Sequence, residues 1–115
     1  MAAFVRRTRS RGGEYYQLVE SHRVEGKPRQ KVLIHLGRHP TVDDALREWP
    51  KEIERLRHFA RESRALGAFS RESGFPDAWA RDNTQRAASA EKRAGELEEN
   101  LRKLRELRKH GVALS

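Results

Sequence analysis

The sequence predicts an α+β fold, in which a small three-stranded antiparallel sheet is packed by a kinked helix and followed by a long C-terminal helix. Three observations predict this fold. Apolar and polar residues alternate in the first third of the chain, glycines punctuate that segment, and apolar residues recur every three or four positions after Thr41. Alternation with tight turns favours a strand meander, whereas the later periodicity favours helices.

Two turns separate three predicted strands. The arginine-rich segment 4–9 precedes Gly12 and Gly13, which form a turn signal, and segment 15–24 is rich in aromatic and β-branched residues. Residues 25–28 supply the second turn, because glycine accepts a positive φ and proline suits a strand edge. Two strands alone would be marginally stable, so a third strand or a packed helix is needed.

The third strand, predicted over residues 30–36, shows the clearest alternation. Strict alternation divides its side chains between the two sides of the sheet. One side receives Val32, Ile34 and Leu36, and the other receives Lys31, Leu33 and His35. This pattern predicts a sheet with one side on the core and the other side open to solvent.

A helix is predicted to begin at Thr41, whose hydroxyl can cap it, with Asp44 three residues later completing an acidic capping box. Apolar residues continue at helical spacing to about Leu66. Pro50 lacks a backbone donor and collides with the preceding turn, so a kink or a break is expected there. Gly67 suits the end of this helix.

The remaining chain is predicted to hold a linker (67–76) and a C-terminal helix (77–110), after a basic β-sheet plus helix domain (1–66). The small and apolar residues of the C-terminal helix recur at a heptad-like spacing, at Ala87, Ala90, Ala94, Leu97, Leu101 and Leu104. A lone helix cannot bury such a seam. It either folds back as a helical hairpin or pairs with a second copy as a coiled-coil homodimer, in which case the last three leucines are the oligomerisation residues.

Positive charge is concentrated near the N-terminus. The chain carries a formal net charge of +8 and has a sequence pI near 10.6. Residues 1–40 hold nine lysines and arginines against three glutamates, residues 41–75 hold seven charges of each sign, and residues 76–115 hold nine basic against seven acidic residues. The excess is therefore +6, 0 and +2 in turn. A localised excess of this kind favours binding of a polyanion.

Nine cations are candidate nucleic-acid-binding residues, with double-stranded DNA favoured over RNA as the partner. Phosphate contacts by lysine and arginine give an affinity that falls with salt, and a small sheet can enter the major groove and present arginines to base edges. The candidates on this basic β-sheet face are Arg6, Arg7, Arg9, Arg11, Arg23, Lys27, Arg29, Lys31 and Arg38.

Several classes of site are not expected. The chain has no cysteine, and it has no run of about 18 apolar residues that would span a membrane. No phosphate loop, nucleophile elbow or zinc-protease motif is present. His35 and His39 are four residues apart, but Gly37 and Pro40 oppose a helix there. We therefore expect no catalytic residues, no metal and no cofactor, in a cytoplasmic protein that is not an enzyme.

The segment from Tyr15 to Arg38 resembles the N-terminal segment of DDE-type insertion-sequence transposases, and the resemblance covers residues 4–40. The residues that match the family pattern are Tyr15, Leu18, Val19, Glu20, Ser21, Arg23, Gly26, Lys27, Arg29, Gln30, Leu36, Gly37 and Arg38. In that family the segment precedes a large RNase H-like domain with three metal-binding carboxylates. Such a domain does not fit within 115 residues, so the resemblance implies DNA binding or assembly and not transposition.

A second hypothesis remains open. The chain can also be read as a protein-interaction or oligomerisation module that binds through its helices and has no nucleic-acid role. In that case the cations of the strands serve only solubility.

Overall fold

The computed structural model describes residues 2–114, which form the predicted α+β fold. Its elements in chain order are β1 (Ala2–Ser10), β2 (Gly13–Val24), β3 (Lys27–Gly37), α1 (Val42–Glu72), α2 (Asp77–Lys109) and β4 (Ala113–Leu114). The chain divides into two compact units, a sheet unit of residues 1–48 with 99–115 and a helical-hairpin unit of residues 49–98. Neither helix in the described chain is long and apolar enough to cross a membrane.

The sheet has the strand order β3-β2-β1-β4. Its first three strands form the predicted antiparallel meander, in which β1 pairs with β2 from Ala3↔Glu20 to Ser10↔Gly13. The two-residue strand β4 adds to β1 in parallel. This fourth strand was not predicted, because two residues carry no alternation that could indicate it.

The turn between β2 and β3 is tighter than the predicted turn of residues 25–28. Val24 pairs with Lys27, which leaves a loop of Glu25 and Gly26 alone. Both residues have a positive φ, 55° at Glu25 and 77° at Gly26. Two successive positive φ values define a type I′ turn, whose twist matches that of the flanking strands.

The register of β2 against β3 shifts between Leu18 and Val19, where Leu18 pairs with Ile34 but Val19 pairs with Val32. Leu33 is therefore an extra residue in β3, as in a β-bulge. The bulge corrects the predicted alternation. Paired residues lie on the same side of a sheet, so Val32 and Ile34 lie on opposite sides, whereas Lys31, paired with Glu20, lies on the side of Ile34.

One side of the sheet is apolar and buried. Leu18 pairs with Ile34, and both are at most 3% exposed, as are Ala3 and Leu36. Within the same unit the buried positions of the helices are Val42, Ala45, Leu101 and Leu104. The other side is mixed, because it carries the polar residues Arg6 and Gln17 but also Val19, which is 0% exposed.

The start of α1 follows the prediction, but its course does not. The backbone N–H of Asp44 donates to the Thr41 hydroxyl over 3.0 Å, which is the expected cap. The helix is not broken at Pro50, and it continues past Gly67 to Glu72. The predicted linker over 67–76 is therefore reduced to four residues that lie between the helices.

A Schellman motif ends α1. Gly74 has a φ of 75°, its N–H donates to the carbonyl of Arg71, and the N–H of Phe75 donates to the carbonyl of Ser70. Gly74, seven residues beyond Gly67, is therefore the glycine that terminates the helix. The second helix then begins at Asp77, as predicted.

The helical-hairpin unit buries three large side chains, Trp49, Ile53 and Leu97, and is otherwise packed through small ones. Its buried positions include Ala60, Ser63, Gly67 and Ser70 on α1, and Ala80, Ala87, Ala90 and Ala94 on α2. A Cβ added at Gly67 would lie 3.4 Å from the carbonyl oxygen of Ala80. At this distance an added Cβ would be in ordinary van der Waals contact, so Gly67 marks a place where the two helices approach each other closely.

The heptad-like seam of α2 is buried within the single chain. Leu97, Leu101 and Leu104 are 1%, 6% and 0% exposed. Intramolecular packing therefore covers these side chains, and they form no exposed seam along α2. Dimerisation through the three leucines stays a prediction that needs a measurement of the oligomeric state.

Candidate nucleic-acid interface

The positive charge of the chain belongs almost entirely to the sheet unit. Residues 1–48 with 99–115 hold 15 lysines and arginines against eight acidic residues, a net charge of +7, whereas residues 49–98 hold ten against nine, a net charge of +1. The two values sum to the +8 of the whole chain. A net charge that is localised in this way creates a local field that attracts anions.

The outer half of the β2–β3 hairpin extends beyond β1. Pairing of β1 with β2 ends at Glu20, so residues 21–24 and 27–30 pair only with each other. Every residue from 21 to 31 is exposed. This ribbon, which we call the basic hairpin (residues 21–31), carries four cations and one glutamate: Arg23, Lys27, Arg29, Lys31 and Glu25.

The cations of the basic hairpin lie on both of its sides. Arg29 pairs with His22 and Lys27 pairs with Val24, so these residues share the side of Lys31, whereas Arg23 pairs with Pro28 on the opposite side. Within residues 2–114 none of the four cations forms an ion pair or a side-chain hydrogen bond. They are therefore available to an external anion.

Arg6, a predicted contact residue, is held within the sheet instead. Its Nη1 donates to Oε1 of Gln30 over 2.5 Å and its Nη2 donates to Oε1 of Gln17 over 2.6 Å, so it ties β1 to β2 and β3. Nε2 of Gln17 lies 3.4 Å from Nδ1 of His35, which extends the network along the polar side of the sheet. The Nε of Arg6 is buried, and no described residue accepts a bond from it.

Two further predicted contacts, Arg7 and Arg9, flank a carboxylate. Arg9 Nη2 lies 3.3 Å from Glu14 Oε1, and Arg7 Nη1 lies 3.7 Å from the same oxygen. Arg11 lies in the exposed turn that follows β1. Glu14 partly neutralises this end of the sheet, so its cations attract an anion less than those of the basic hairpin do.

Arg38 follows β3 and lies beside the turn between β1 and β2. Its guanidinium carbon is 5.9 Å from the ring centroid of Tyr15, within cation–π range, and its Nη2 donates to the carbonyl of Gly12 over 3.1 Å. The nine predicted residues therefore do not form a single basic face. The basic hairpin holds four of the five predicted cations that have no side-chain partner among residues 2–114, the fifth being Arg11, whereas Arg6 and Arg38 contact other residues of the sheet.

A groove of about 480 Å³ within the sheet unit was not predicted. It is lined by β3 and by the C-terminal turns of α2, through Lys31, Val32, Leu33, Ile34, Arg102, Lys103, Glu106, Leu107 and His110. The β-bulge at Leu33 brings Lys31 to this side of the strand. A basic end of α2 was visible in the sequence, but its approach to β3 depends on tertiary packing.

No metal site is defined among residues 2–114, because they contain no group of three His, Asp or Glu side chains that could hold an ion. The shifted pKa values reflect surface ion pairs. Arg47 lowers the pKa of Asp44 by a hydrogen bond, and Arg102 lowers the pKa of Glu99 in the same way. Neither carboxylate is buried, so each is a solvated partner of an arginine.

The comparisons with known proteins place the chain in a family. The N-terminal domain of IS1634 family transposases matches residues 5–68, which is 64 of the 115 residues. The chain therefore belongs to the family of IS1634 transposase N-terminal domains. The match covers most of β1, all of β2 and β3, and α1 as far as residue 68, whereas α2 lies outside it. No curated protein and no solved structure gave a significant match.

Proposed function

We propose that this chain is a non-catalytic module that binds double-stranded DNA through its basic hairpin. The observation that carries the proposal is the group of four unpaired cations on a ribbon that extends beyond β1. Membership of a transposase N-terminal domain family supports the same function, because a transposase must hold DNA.

The shape of the basic hairpin fits a duplex. A two-stranded antiparallel ribbon can enter the major groove, and arginine can bond the O6 and N7 of guanine at once. Arg23 and Arg29 lie on opposite sides of the ribbon, so one can face a base edge while the other faces a phosphate. Neutralising such phosphate contacts releases counterions and makes the affinity steeply dependent on salt.

The test is a salt titration of binding to a labelled duplex by the full chain. We expect binding at about 50 mM salt that weakens steeply as salt rises, with a slope that falls by about 0.9 for each phosphate contact removed. A triple variant with Arg23, Arg29 and Lys31 changed to alanine should lose most of this affinity.

A matched variant controls for net charge. Changing Arg61, Arg81 and Lys92 to alanine removes the same three charges from exposed positions of the helical-hairpin unit. This control should retain the wild-type affinity. If the wild-type chain does not bind duplex DNA at about 50 mM salt, where phosphate contacts are strongest, the proposed function is wrong. Competition with duplex RNA of the same sequence tests the preference for DNA.

The non-catalytic role is part of the proposal. The full chain should leave a supercoiled plasmid intact when it is incubated with Mg²⁺ or Mn²⁺, the ions that carboxylate-based nucleic-acid chemistry requires. Nicking or strand transfer by purified chain, lost together with DNA binding in the hairpin triple variant, would contradict it.

One observation favours the second hypothesis, an oligomerisation module that binds a second copy through its helices. Phe69, Phe75 and Trp79 are 57%, 41% and 52% exposed, and the Phe75 ring lies 6.0 Å from that of Phe69 and 5.0 Å from that of Trp79. An exposed aromatic cluster of this kind is typical of an interaction surface. Sedimentation tests it: Trp79→Ala should shift the chain from dimer to monomer, and a wild-type monomer at high concentration would exclude it.

A further inference from the structure

The groove between β3 and the end of α2 has cationic walls and an apolar floor. Lys31 rises from β3 and Lys103 from the facing helix, and both side chains are exposed. The apolar residues Ile34 and Leu107 also line the groove, and Ile34 is buried whereas Leu107 is half-buried. Within residues 2–114 neither lysine lies within ion-pair distance of a carboxylate, although the charge of Lys103 helps to lower the pKa of Glu99. The two lysines line the same groove, one from β3 and one from α2.

The other charges of the groove are already engaged within α2. Arg102 donates from Nε and Nη2 to the carboxylate of Glu99, over 3.1 and 2.6 Å. Nε2 of His110 lies 3.5 Å from Oε2 of Glu106. The groove therefore offers an anion two lysines, with Glu106 as the one carboxylate among its lining residues.

The groove is continuous with the basic hairpin, because Lys31 belongs to both. Arg29 and Lys31 lie on one side of the ribbon, and Lys31 and Lys103 line the groove. A phosphate backbone that contacts Arg29 and Lys31 can therefore continue along β3 to Lys103. The apolar floor suits the carbon atoms of deoxyribose, and the lysines suit the phosphate oxygens. An acidic peptide would also complement the lysines, but it would have no reason to follow the hairpin.

We propose that this groove holds one strand of the DNA phosphate backbone, with Lys103 as a phosphate contact and Glu106 as a residue that weakens binding. The proposal rests on the DNA-binding function proposed above and deepens it. It extends the interface from the family-matched segment onto α2, a helix that the family match does not cover.

Two substitutions of opposite sign test the proposal. Lys103→Ala should raise the Kd for a labelled duplex about fivefold and reduce the slope of log affinity against log salt by about 0.9, the value for one phosphate contact. Glu106→Gln should lower the Kd, by about twofold to fivefold, because it removes a like charge beside the phosphate path. An unfolded variant cannot gain affinity, so the second substitution guards against misfolding.

The control is Lys92→Ala, which removes the same charge from an exposed position of α2 in the helical-hairpin unit. It should leave the Kd within about twofold, since Lys92 lies about 16 Å from Lys103 along α2 and its charge is screened at physiological salt. Equal effects of Lys103→Ala and Lys92→Ala, or no gain with Glu106→Gln, would overturn the proposal. An unchanged DNA affinity in the Glu106→Gln variant is also the result expected if the groove binds an acidic peptide instead of DNA.

Failure of the groove and failure of the proposed function give different results. If the wild-type chain does not bind DNA, the function itself is wrong. If the wild-type chain binds and the hairpin triple variant does not, while Lys103→Ala and Glu106→Gln match the wild type, then only the groove is wrong.

Discussion

Glu25 holds the left-handed backbone conformation, with a φ of 55°, that glycine and asparagine adopt more readily than glutamate. Changing Glu25 to asparagine would create the Asn-Gly pair that type I′ turns prefer. We expect the free energy of unfolding to rise by about 0.5–1 kcal/mol, because the left-handed strain is relieved. Urea denaturation measures this change.

Gly26 provides a control of opposite sign. Its φ is 77°, so Gly26→Ala should lower the free energy of unfolding by about 1 kcal/mol. If Glu25→Asn destabilises the chain while Gly26→Ala does not, the turn does not have the type I′ conformation.

Arg6 is expected to act on stability more than on DNA binding. Arg6→Ala removes two charge-assisted hydrogen bonds, to Gln17 and Gln30, that join three strands. We expect the free energy of unfolding to fall by about 1–2 kcal/mol, as for hydrogen bonds to a charged group. Chemical denaturation of the purified chain provides the measurement.

The neighbouring Arg7 is the matched control for Arg6. It is exposed and lies 3.7 Å from Glu14, so Arg7→Ala should change the free energy of unfolding by no more than about 0.5 kcal/mol. Equal losses of stability in the two variants would show that the glutamine contacts of Arg6 contribute nothing.

At the scale of elements, ion pairs link the two helices of the helical-hairpin unit. Arg64 forms a bidentate pair with Glu91, and Arg57 pairs with Glu98. The hydrogen bond from each arginine lowers the pKa of its glutamate below the ordinary value of 4.5. A glutamate whose pKa is lower in the folded state stabilises the fold at pH values above its pKa in the unfolded state. This stabilisation is lost as the pH falls through the pKa of the folded state.

The melting temperature should therefore fall as pH decreases below 4.5, the ordinary pKa of glutamate. A Glu91→Gln, Glu98→Gln double variant should lose part of that pH dependence, because neither side chain can then be protonated. Thermal melts followed by circular dichroism across this pH range provide the measurement. Glu54→Gln is the control, since Glu54 forms no ion pair within residues 2–114, and its curve should follow that of the wild type.

At the scale of the whole molecule, the location of charge should matter more than its sum. Changing Arg61, Arg81 and Lys92 to glutamate lowers the formal net charge from +8 to +2, since each of three reversals subtracts two. All three residues lie in the helical-hairpin unit. We expect the affinity for duplex DNA at physiological salt to fall by less than about threefold. The Debye length at this salt is about 8 Å, so charges that do not contact the DNA directly are largely screened.

Alanine variants of the basic hairpin provide the comparison. They retain a higher net charge than the reversal variant, yet they should bind DNA far more weakly. A binding assay in which affinity follows net charge alone would contradict the assignment of the interface to the sheet unit.

Local chemistry in the sequence was enough to predict the strand meander, the Thr41 cap and the start of α2, because turn and cap residues act within a few positions. The bulge at Leu33 could not be predicted, since it depends on how β3 meets β2. The interaction of Arg6 with Gln30, 24 residues away, depends on the same register. The bulge determines the side of the sheet on which Lys31 lies, and the Gln30 contact gives Arg6 a partner. The sequence therefore showed where the positive charge is concentrated, but not which side chains contact it.

The end of α1 was mispredicted for a related reason. Glycine is a residue type that often ends a helix, and Gly67 was therefore expected to end α1. In the structure Gly67 is instead a contact point between the two helices, where an added Cβ would contact the backbone of Ala80. Helix-breaking propensity is a weak prior that packing overrides. Only the second helix, distant in sequence, reveals which role the glycine has.

The small side chains that lie between α1 and α2 in the helical-hairpin unit have a consequence for other members of the family. Ala60, Ser63 and Gly67 of α1 lie within the matched segment, whereas Ala80 and Ala87 of α2 lie beyond it. Enlarging either set would separate the helices. Relatives that retain alanine, serine or glycine at the three α1 positions should therefore carry a following helix with small residues at matching intervals, and relatives that lack this second helix should have larger residues there. The residue types at these α1 positions should therefore indicate, from the sequence of a relative alone, whether a second helix packs against α1.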